Sequence, residues 1–118
     1  MAGRAKISGA ITGRWRIMAM SEWDRDAIDL VEPGFIEFTE DGAGELGFIV
    51  VRGELDCRPA ERDGRAGVEF TWAGSDEGDE VSGRGWAFLV GDAEIEGHLS
   101  FHFGNDTSFR AEPSPPSR

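Results

Sequence analysis

The two histidines, His98 and His102, are the residues of this sequence best suited to metal or acid–base chemistry. A spacing of four residues on one face of a strand separates two side chains by about 13 Å. A zinc ligand lies about 2 Å from its ion, so the two imidazoles cannot bind one zinc together and would need carboxylates from other strands. We therefore predict exposed or groove-lining histidines and no metal site.

The acidic run around Gly78 is a second candidate, because hard cations such as calcium bind carboxylate oxygens. Asp76, Glu77, Asp79 and Glu80 lack the regular spacing of a calcium-binding loop and its closing glutamate. The run predicts a solvated hairpin loop whose like charges repel one another. The acids within 24–32 are expected on the first turn and the solvent face of a helix.

The stretch GRGW at 83–86 would be a phosphate-binding loop only if a helix followed it, since phosphate binds at helix N-termini. The residues WAFLV at 86–90 predict a strand instead. Gly83 and Gly85 are therefore expected to permit a bulge or a close approach between strands.

Nucleophilic chemistry has one cysteine available, Cys57. Its neighbours Asp56 and Arg58 alternate with it, which predicts an inward, buried position and a small hydrophobic role instead of a reactive thiol. No nucleophile, base and orienting group can be assembled from the sequence, and no nucleophile-elbow pattern occurs. We predict that the protein is not an enzyme and has no catalytic residues and no cofactor.

The charge balance limits the partners. The chain has 23 acidic and 12 basic residues and a net charge of −11, and such a surface repels nucleic-acid phosphates and anionic lipids. Its 118 residues correspond to one domain, and one cysteine allows no intrachain disulfide. No apolar run approaches the roughly 20 residues that span a bilayer, and the first residues lack a secretory signal. We expect a cytoplasmic protein that binds neither nucleic acid nor membrane.

Glycine-rich turns divide the chain into short segments whose apolar and polar residues alternate, a pattern typical of antiparallel strands. We expect seven or eight strands, one of them continuous over 45–52, and Ala19 on the same face as Trp15 and Ile17. The side chains assigned to the interior are Trp15, Ile17, Ile36, Phe38, Leu46, Phe48, Val50, Leu55, Val68, Phe70, Trp72, Trp86, Phe88, Leu99, Phe101, Phe103 and Phe109.

The segment 21–34 interrupts this alternation, because four apolar residues recur at helical spacing: Trp23, Ala27, Leu30 and Val31. Ser21 is a candidate N-cap, and Pro33-Gly34 is a stop signal. We predict a short helix that closes one end of a barrel, with Trp23 and either Ile28 or Leu30 packed on the barrel mouth.

Several stretches together carry a likeness to a known family: GRWRI at 13–17, WD at 23–24, DLVEPG at 29–34, LDCR at 55–58, VEF at 68–70, SGRGWA at 82–87 and FH at 101–102. Over residues 11–112 the chain resembles a family of small bacterial proteins of about this length, a resemblance that implies no known activity. More distantly, Gly13-x-Trp15 is similar to the first strand of lipocalins and other calycins, and this implies a barrel that holds a ligand.

These patterns predict an all-β protein: an antiparallel, up-and-down, calycin-like barrel of about eight strands with one short helix near the N-terminus. A β-sandwich is the alternative. We expect a flexible N-terminus at 1–10, a single barrel domain at 11–112 and a disordered tail at 113–118.

Charged residues fall on outward positions of adjacent predicted strands: Arg14, Asp56, Arg58, Glu69 and Arg84. Cross-strand ion pairs are one interpretation. If the strand phase were reversed, the same residues would face a cavity and form a polar binding site.

The predicted interior is crowded with large apolar side chains, whereas a ligand pocket combines apolar walls with a few polar groups. Because a small eight-stranded barrel can fill itself with side chains, we predict a largely filled core with a small apolar cavity at the mouth. The expected function is a non-catalytic protein-interaction module, monomeric or homodimeric. The alternative is a binding protein for a small apolar ligand in the barrel interior or mouth, with candidate contacts from Trp15, Trp23, Trp72 and Trp86.

Overall fold

Eight antiparallel strands close into a barrel in the computed structural model, which describes residues 6–114. Consecutive strands pair with each other, and the last strand pairs with the first. The predicted all-β, up-and-down barrel with one short helix is confirmed, and the sandwich alternative is wrong. In chain order the elements are β1 (Gly13–Met20), α1 (Arg25–Ile28), β2 (Phe35–Phe38), β3 (Ala43–Phe48), β4 (Val51–Arg62), β5 (Arg65–Asp76), β6 (Asp79–Leu89), β7 (Ile95–Phe101) and β8 (Asp106–Pro113).

Two of the connections are two-residue turns with left-handed backbone. Asp63 and Gly64, with φ of 53° and 78°, join β4 to β5, and Glu77 and Gly78, with φ of 53° and 90°, join β5 to β6. Positive φ at both central residues is the geometry of a type I′ turn, whose twist matches that of the flanking strands. The predicted acidic hairpin loop is therefore only a two-residue turn, and its other acids lie in β5 and β6.

The predicted continuous strand at 45–52 is wrong, because a tight turn at Ile49 and Val50 divides it into β3 and β4. Ile49 has a φ of 55°, an unusual conformation for a β-branched residue. Its amide donates a hydrogen bond to the carbonyl of Ile28 at 2.8 Å, so the end of α1 holds this turn. Val50 consequently lies in the turn and is only half-buried, not in the interior.

Glycines face large rings across the inner surface of the barrel. Trp72 of β5 lies over Gly53 and Gly83 on the two adjacent strands, so that a Cβ on either glycine would approach its indole to 2.8 Å and 2.9 Å. Phe70 covers Gly85 in the same way, at 2.6 Å. The absent Cβ atoms therefore make room for rings that an eight-stranded barrel could not otherwise enclose.

The strand β6 has the opposite orientation to the predicted one. Its small residues face the core, since Ala87 is fully buried and Gly85 lies beneath a ring of β5. Trp86 and Phe88, predicted inside, alternate with these residues and lie on the outer surface of the sheet. This is a correction to the predicted interior, and the predicted role of Gly83 and Gly85 in a close approach between strands is confirmed.

A cation covers the two outward aromatic rings of β6. The guanidinium of Arg62 lies 4.5 Å from the ring centroid of Trp86 and 4.4 Å from that of Phe88. His98 of β7 stacks on Trp86 with an interplanar angle of 18°. Phe88 is only 8% exposed as a result, so hydrophobic burial at this strand occurs outside the barrel.

A bulge in β1 between Ile17 and Ala19 reverses the alternation beyond it. Met20 is buried and Ala19 is exposed, so the predicted inward position of Ala19 is wrong.

Apolar residues close the opposite end of the barrel, where β1 begins. Ile7 and Ile11 are buried there, and the indole of Trp15 donates a hydrogen bond to the carbonyl of Ile11 at 2.9 Å. The amide of Ile7 donates to the carbonyl of Glu40 at 3.0 Å. The hydrophobic core thus includes Ile7 and Ile11.

The remaining predicted boundaries concern the chain ends. Residues 1–5 of the predicted flexible segment lie outside the described residues. At the other end Pro113 belongs to β8, and the amide of Ser114 donates to the carbonyl of Arg14 at 3.0 Å. Residues 115–118 of the predicted tail lie outside the described residues.

Candidate functional site

The mouth of the barrel is the end that carries α1 and the connections 21–34, 49–50, 77–78 and 102–105. Trp23 packs there against Phe48 and Phe101, with ring centroids 5.6 Å and 6.3 Å away. Phe101 in turn meets Trp72 edge-on at 5.0 Å. The predicted packing of Trp23 on the mouth is confirmed, and these rings connect the mouth to the core.

The helix α1 is a single turn and is capped by a different residue from the predicted one. The carboxylate of Asp24 accepts a hydrogen bond from the amide of Ala27 at 3.0 Å, which is the geometry of an N-cap. Ser21, the predicted cap, accepts instead from the amide of Ser108 at 2.9 Å. Of the two residues considered for the mouth, Ile28 is buried and Leu30 is exposed.

Asp29 fixes the segment after α1 to β1. Its carboxylate accepts hydrogen bonds from the amide of Gly34 at 2.8 Å and from the guanidiniums of Arg16 at 2.7 Å and Arg25 at 3.3 Å. Burial raises the pKa of Asp29, but the Gly34 amide and the two guanidiniums outweigh burial, and this pKa lies below its ordinary value. The network therefore joins the helix α1, the strand β1 and the end of the segment 21–34.

A cleft of about 510 Å³ opens at the mouth beside Trp23. We call it the mouth cleft, and its volume is within the range of roughly 300–1,000 Å³ that is usual for binding pockets. Apolar residues form most of its walls: Trp23, Phe48, Ile49, Val50, Val51, Val81 and Phe101. Its other lining residues are Asp76, Glu77, His102, Gly104 and Asn105. No lysine or arginine of residues 6–114 lines it, so its permanent charges are negative.

Three large apolar side chains lie in solvent at the mouth. Leu30 and Val31 are 63% and 61% exposed in the segment after α1, and Phe103 is 98% exposed in the turn between β7 and β8. Phe103 was predicted in the interior and is a correction. It has a φ of 60°, since the chain has already left β7 and turned toward β8.

The four candidate tryptophans divide into two pairs. Trp15 and Trp72 are 4% and 3% exposed, and the indole of Trp72 donates to the carbonyl of Ser100 at 3.2 Å, so both are enclosed in the core. Trp23 lines the mouth cleft, and Trp86 lines a groove on the outer surface. The structure therefore does not bring the four together.

The groove beside Trp86 has a volume of about 420 Å³ and crosses β4, β5 and β6. It contains most of the charged set predicted on outward positions, and Asp56, Arg58, Glu69 and Arg84 are all exposed. The register places Arg58 directly opposite Glu69. The fifth member, Arg14, pairs with Glu37 on the neighbouring strand at 3.2 Å. The outward interpretation of this set is confirmed, and the reversed phase is wrong.

The other chemistry-bearing residues lie apart. His98 is in β7 and its Nε2 lies 3.9 Å from Asp106, whereas His102 lies just beyond the strand beside Phe103. The predicted placement of both histidines on one strand is therefore wrong for His102. Cys57 is buried in the core. Across residues 6–114, no group of three or more His, Cys, Asp or Glu side chains is arranged to hold a metal ion.

Sequence reasoning missed two contributors to the mouth. The alternating pattern gives no role to Val81, and it predicts Phe103 in the core because it continues past the end of β7. The chain turns at 102–104, and Gly104 is the one residue type in that segment that signals a turn.

Comparison of the chain with protein families, with curated proteins and with solved structures found no match. The eight-stranded antiparallel barrel is consistent with the calycin-like resemblance at the level of fold. Within residues 6–114, α1 is a single turn and no helix has the length and apolar character needed to cross a membrane.

Proposed function

We propose that this protein is a non-catalytic interaction module that recognises another protein through the mouth of its barrel. The observation that carries this proposal is the exposure of Leu30, Val31 and Phe103 at the same end as the mouth cleft. Exposed apolar residues concentrated in one region of a surface are typical of an interaction site, whereas single scattered ones are normal on any protein.

The packing of the interior supports a function at the surface. Phe38 and Phe70 pack together with their ring centroids 6.3 Å apart, and the inward side chains form one contiguous core. Within the described part of the chain, Thr107 is the one polar residue that is buried. An interior of this composition offers a ligand almost no hydrogen bonds.

The arrangement of the reactive groups supports a non-catalytic role. Cys57 faces the core, whereas His98 lies outside the sheet against Trp86, so the wall of the barrel separates the two. Nucleophilic catalysis requires a base within hydrogen-bonding reach of the nucleophile. A cytoplasmic location is part of the proposal, because Cys57 is a buried cysteine outside any disulfide, which suits a reducing compartment.

Site-specific photo-crosslinking in the source cells tests this function. A benzophenone amino acid replaces Phe103 in one variant and Glu61, which is exposed on the hairpin at the opposite end, in the control. We expect a discrete adduct from position 103 only, and excess wild-type protein should compete for it. The variant L30S/V31S/F103S should keep its fold, because all three residues are exposed, and should fail to compete.

Two crosslinking results would overturn the proposal. One is the same adduct pattern from positions 103 and 61, and the other is full competition by the triple variant. An adduct of twice the mass of the chain would identify a second copy of this chain as the partner.

A small apolar ligand in the mouth cleft is the second candidate function, favoured by the aromatic wall that Trp23, Phe48 and Phe101 form there. Titration with fatty acids, retinoids and haem, followed by tryptophan fluorescence and thermal melting, tests it. A ligand at 100 times its Kd would stabilise the fold by about 2.7 kcal/mol. A saturable response of this kind would favour the second candidate, and a flat response would favour the interaction module.

A further inference from the structure

We infer that the partner segment recognised by the mouth cleft carries a large apolar side chain next to a lysine or arginine. This inference rests on the proposed function and specifies the chemistry of the partner. The apolar side chain packs between Trp23 and the opposite wall, while the cation pairs with the carboxylates of Asp76 and Glu77.

Aromatic and aliphatic side chains form one part of the cleft wall. Trp23 and Phe101 pack against each other and against Phe48, and Val51 and Val81 add aliphatic surface beside them. Its volume of about 510 Å³ accommodates one large side chain and part of the adjoining backbone. Desolvation of an aromatic or aliphatic side chain in such a pocket is the usual source of binding energy at an interface.

The rim of the cleft supplies negative charge without a balancing cation. Asp76 ends β5 and Glu77 begins the turn to β6, and both line the cleft. Neither carboxylate forms an ion pair with another described residue, whereas Glu32 of the same end pairs with Arg52. An apolar pocket with unpaired carboxylates at its edge complements an apolar side chain that has a cation one or two positions away.

A side-chain hydrogen-bond donor also belongs to a residue that lines the cleft. The indole N–H of Trp23 has no hydrogen-bond acceptor among residues 6–114, in contrast to the indoles of Trp15 and Trp72. A carbonyl of an extended segment is the acceptor that a bound peptide would supply. Leu30, Val31 and Phe103 are exposed at the same end of the barrel and outside the cleft lining, and a protein segment can reach both where a small molecule cannot.

Selection from a random 12-residue peptide library, displayed on phage and panned against the intact protein, tests this inference. We expect the enriched peptides to combine Lys or Arg with a neighbouring Leu, Ile, Phe or Trp. Fluorescence anisotropy of a labelled selected peptide should give an affinity about fivefold to tenfold weaker for D76N/E77Q, the loss expected for two partly exposed charge pairs.

The control removes two charges from the same hairpin outside the cleft. D79N/E80Q changes residues that are exposed and absent from the cleft lining, so its affinity should match that of the wild type. Equal weakening in both variants, enrichment of acidic peptides, or no enrichment at all would overturn the inference. Peptides that bind wild type but not L30S/V31S/F103S, with no preference for basic residues, would overturn it while leaving the proposed function intact.

Discussion

Replacement of Gly53 by alanine tests whether absent Cβ atoms admit the rings to the barrel. The new Cβ would lie 2.8 Å from Cε3 of Trp72. Carbon atoms pack at about 3.5–4.0 Å, so the ring would have to retreat by about 0.7–1.2 Å. Trp72 has little freedom to do so, because its indole donates to Ser100 and its ring packs edge-on against Phe101. Adding a methyl group to a core packed in this way costs about 1–3 kcal/mol.

Urea denaturation and thermal melting, followed by circular dichroism, measure this cost. For a chain of 118 residues, an unfolding entropy of about 2.1 cal/mol/K per residue converts the expected loss into a fall in Tm of about 4–12 °C. The matched control is G9A, since no atom lies within 4 Å of the new Cβ and Gly9 has no positive φ. Its unfolding free energy should stay within about 0.5 kcal/mol of the wild-type value.

A double-mutant cycle tests whether the ring of Trp72 causes the loss of stability in G53A. W72L removes the atoms that clash, so W72L/G53A should be more stable than the sum of the single changes predicts, by about 0.5–3 kcal/mol. A Cβ on Gly83 would instead collide with the backbone carbonyl of Ser100, so W72L should not rescue G83A. A G53A variant as stable as the wild type, or a strictly additive W72L/G53A, would refute the reasoning.

Three further predictions concern Asp29, the turn at Gly64 and the histidines. Because folding lowers the pKa of Asp29, its ionised form stabilises the fold above the ordinary pKa near 3.9, and this contribution disappears as the pH falls through the folded-state pKa. The difference in urea midpoint between wild type and D29N should therefore shrink as the pH is lowered from 7 to 3, and a constant difference would contradict the assignment. G64A should lose about 1 kcal/mol from backbone strain alone, since φ is 78° and no atom lies near the new Cβ; an unchanged melting temperature would count against this explanation. Of the two histidines, only His98 lies outside the mouth cleft, so H98A should keep its fold and its crosslinking from position 103, and loss of that crosslink at unchanged stability would show that His98 acts in recognition.

The strand count was predictable because glycine turns and alternating segments depend on local sequence. Which face of β6 points into the barrel was not predictable. Hydrophobicity favours Trp86 and Phe88 as the inward residues, whereas the residues that face the core are Gly83, Gly85 and Ala87. Gly83 and Gly85 face inward because backbone carbonyls of β7 and rings of β5 occupy the space beside them, and this information is carried by other parts of the chain. The cation of Arg62 that covers the outward rings is likewise far away in sequence.

The mouth was predictable in outline and not in detail. The sequence predicts the position of the mouth from Trp23 and from the interruption of the alternating pattern at 21–34. The turn at Ile49 carries no glycine, asparagine or aspartate. It is stabilised by a hydrogen bond that the amide of Ile49 donates to the carbonyl of Ile28, 21 positions earlier in the chain. The exposure of Phe103 depends on where β7 ends, and strand ends are determined by pairing with the next strand as much as by local pattern.

The pairing of β1 with β8 has a consequence for how the chain reaches its native state. Every other pairing joins strands that are consecutive in sequence, but this one places Trp15 opposite Pro113. The entropy lost on closing a loop increases with its length, so this seam forms late and slows folding. Until it forms, two unpaired strand edges are open to other chains, and such edges are templates for aggregation. Ser21 and Ser108 form a hydrogen bond across this seam. We therefore expect substitutions of these two residues to raise the yield of aggregate during refolding clearly, while the unfolding free energy of the folded barrel falls only slightly.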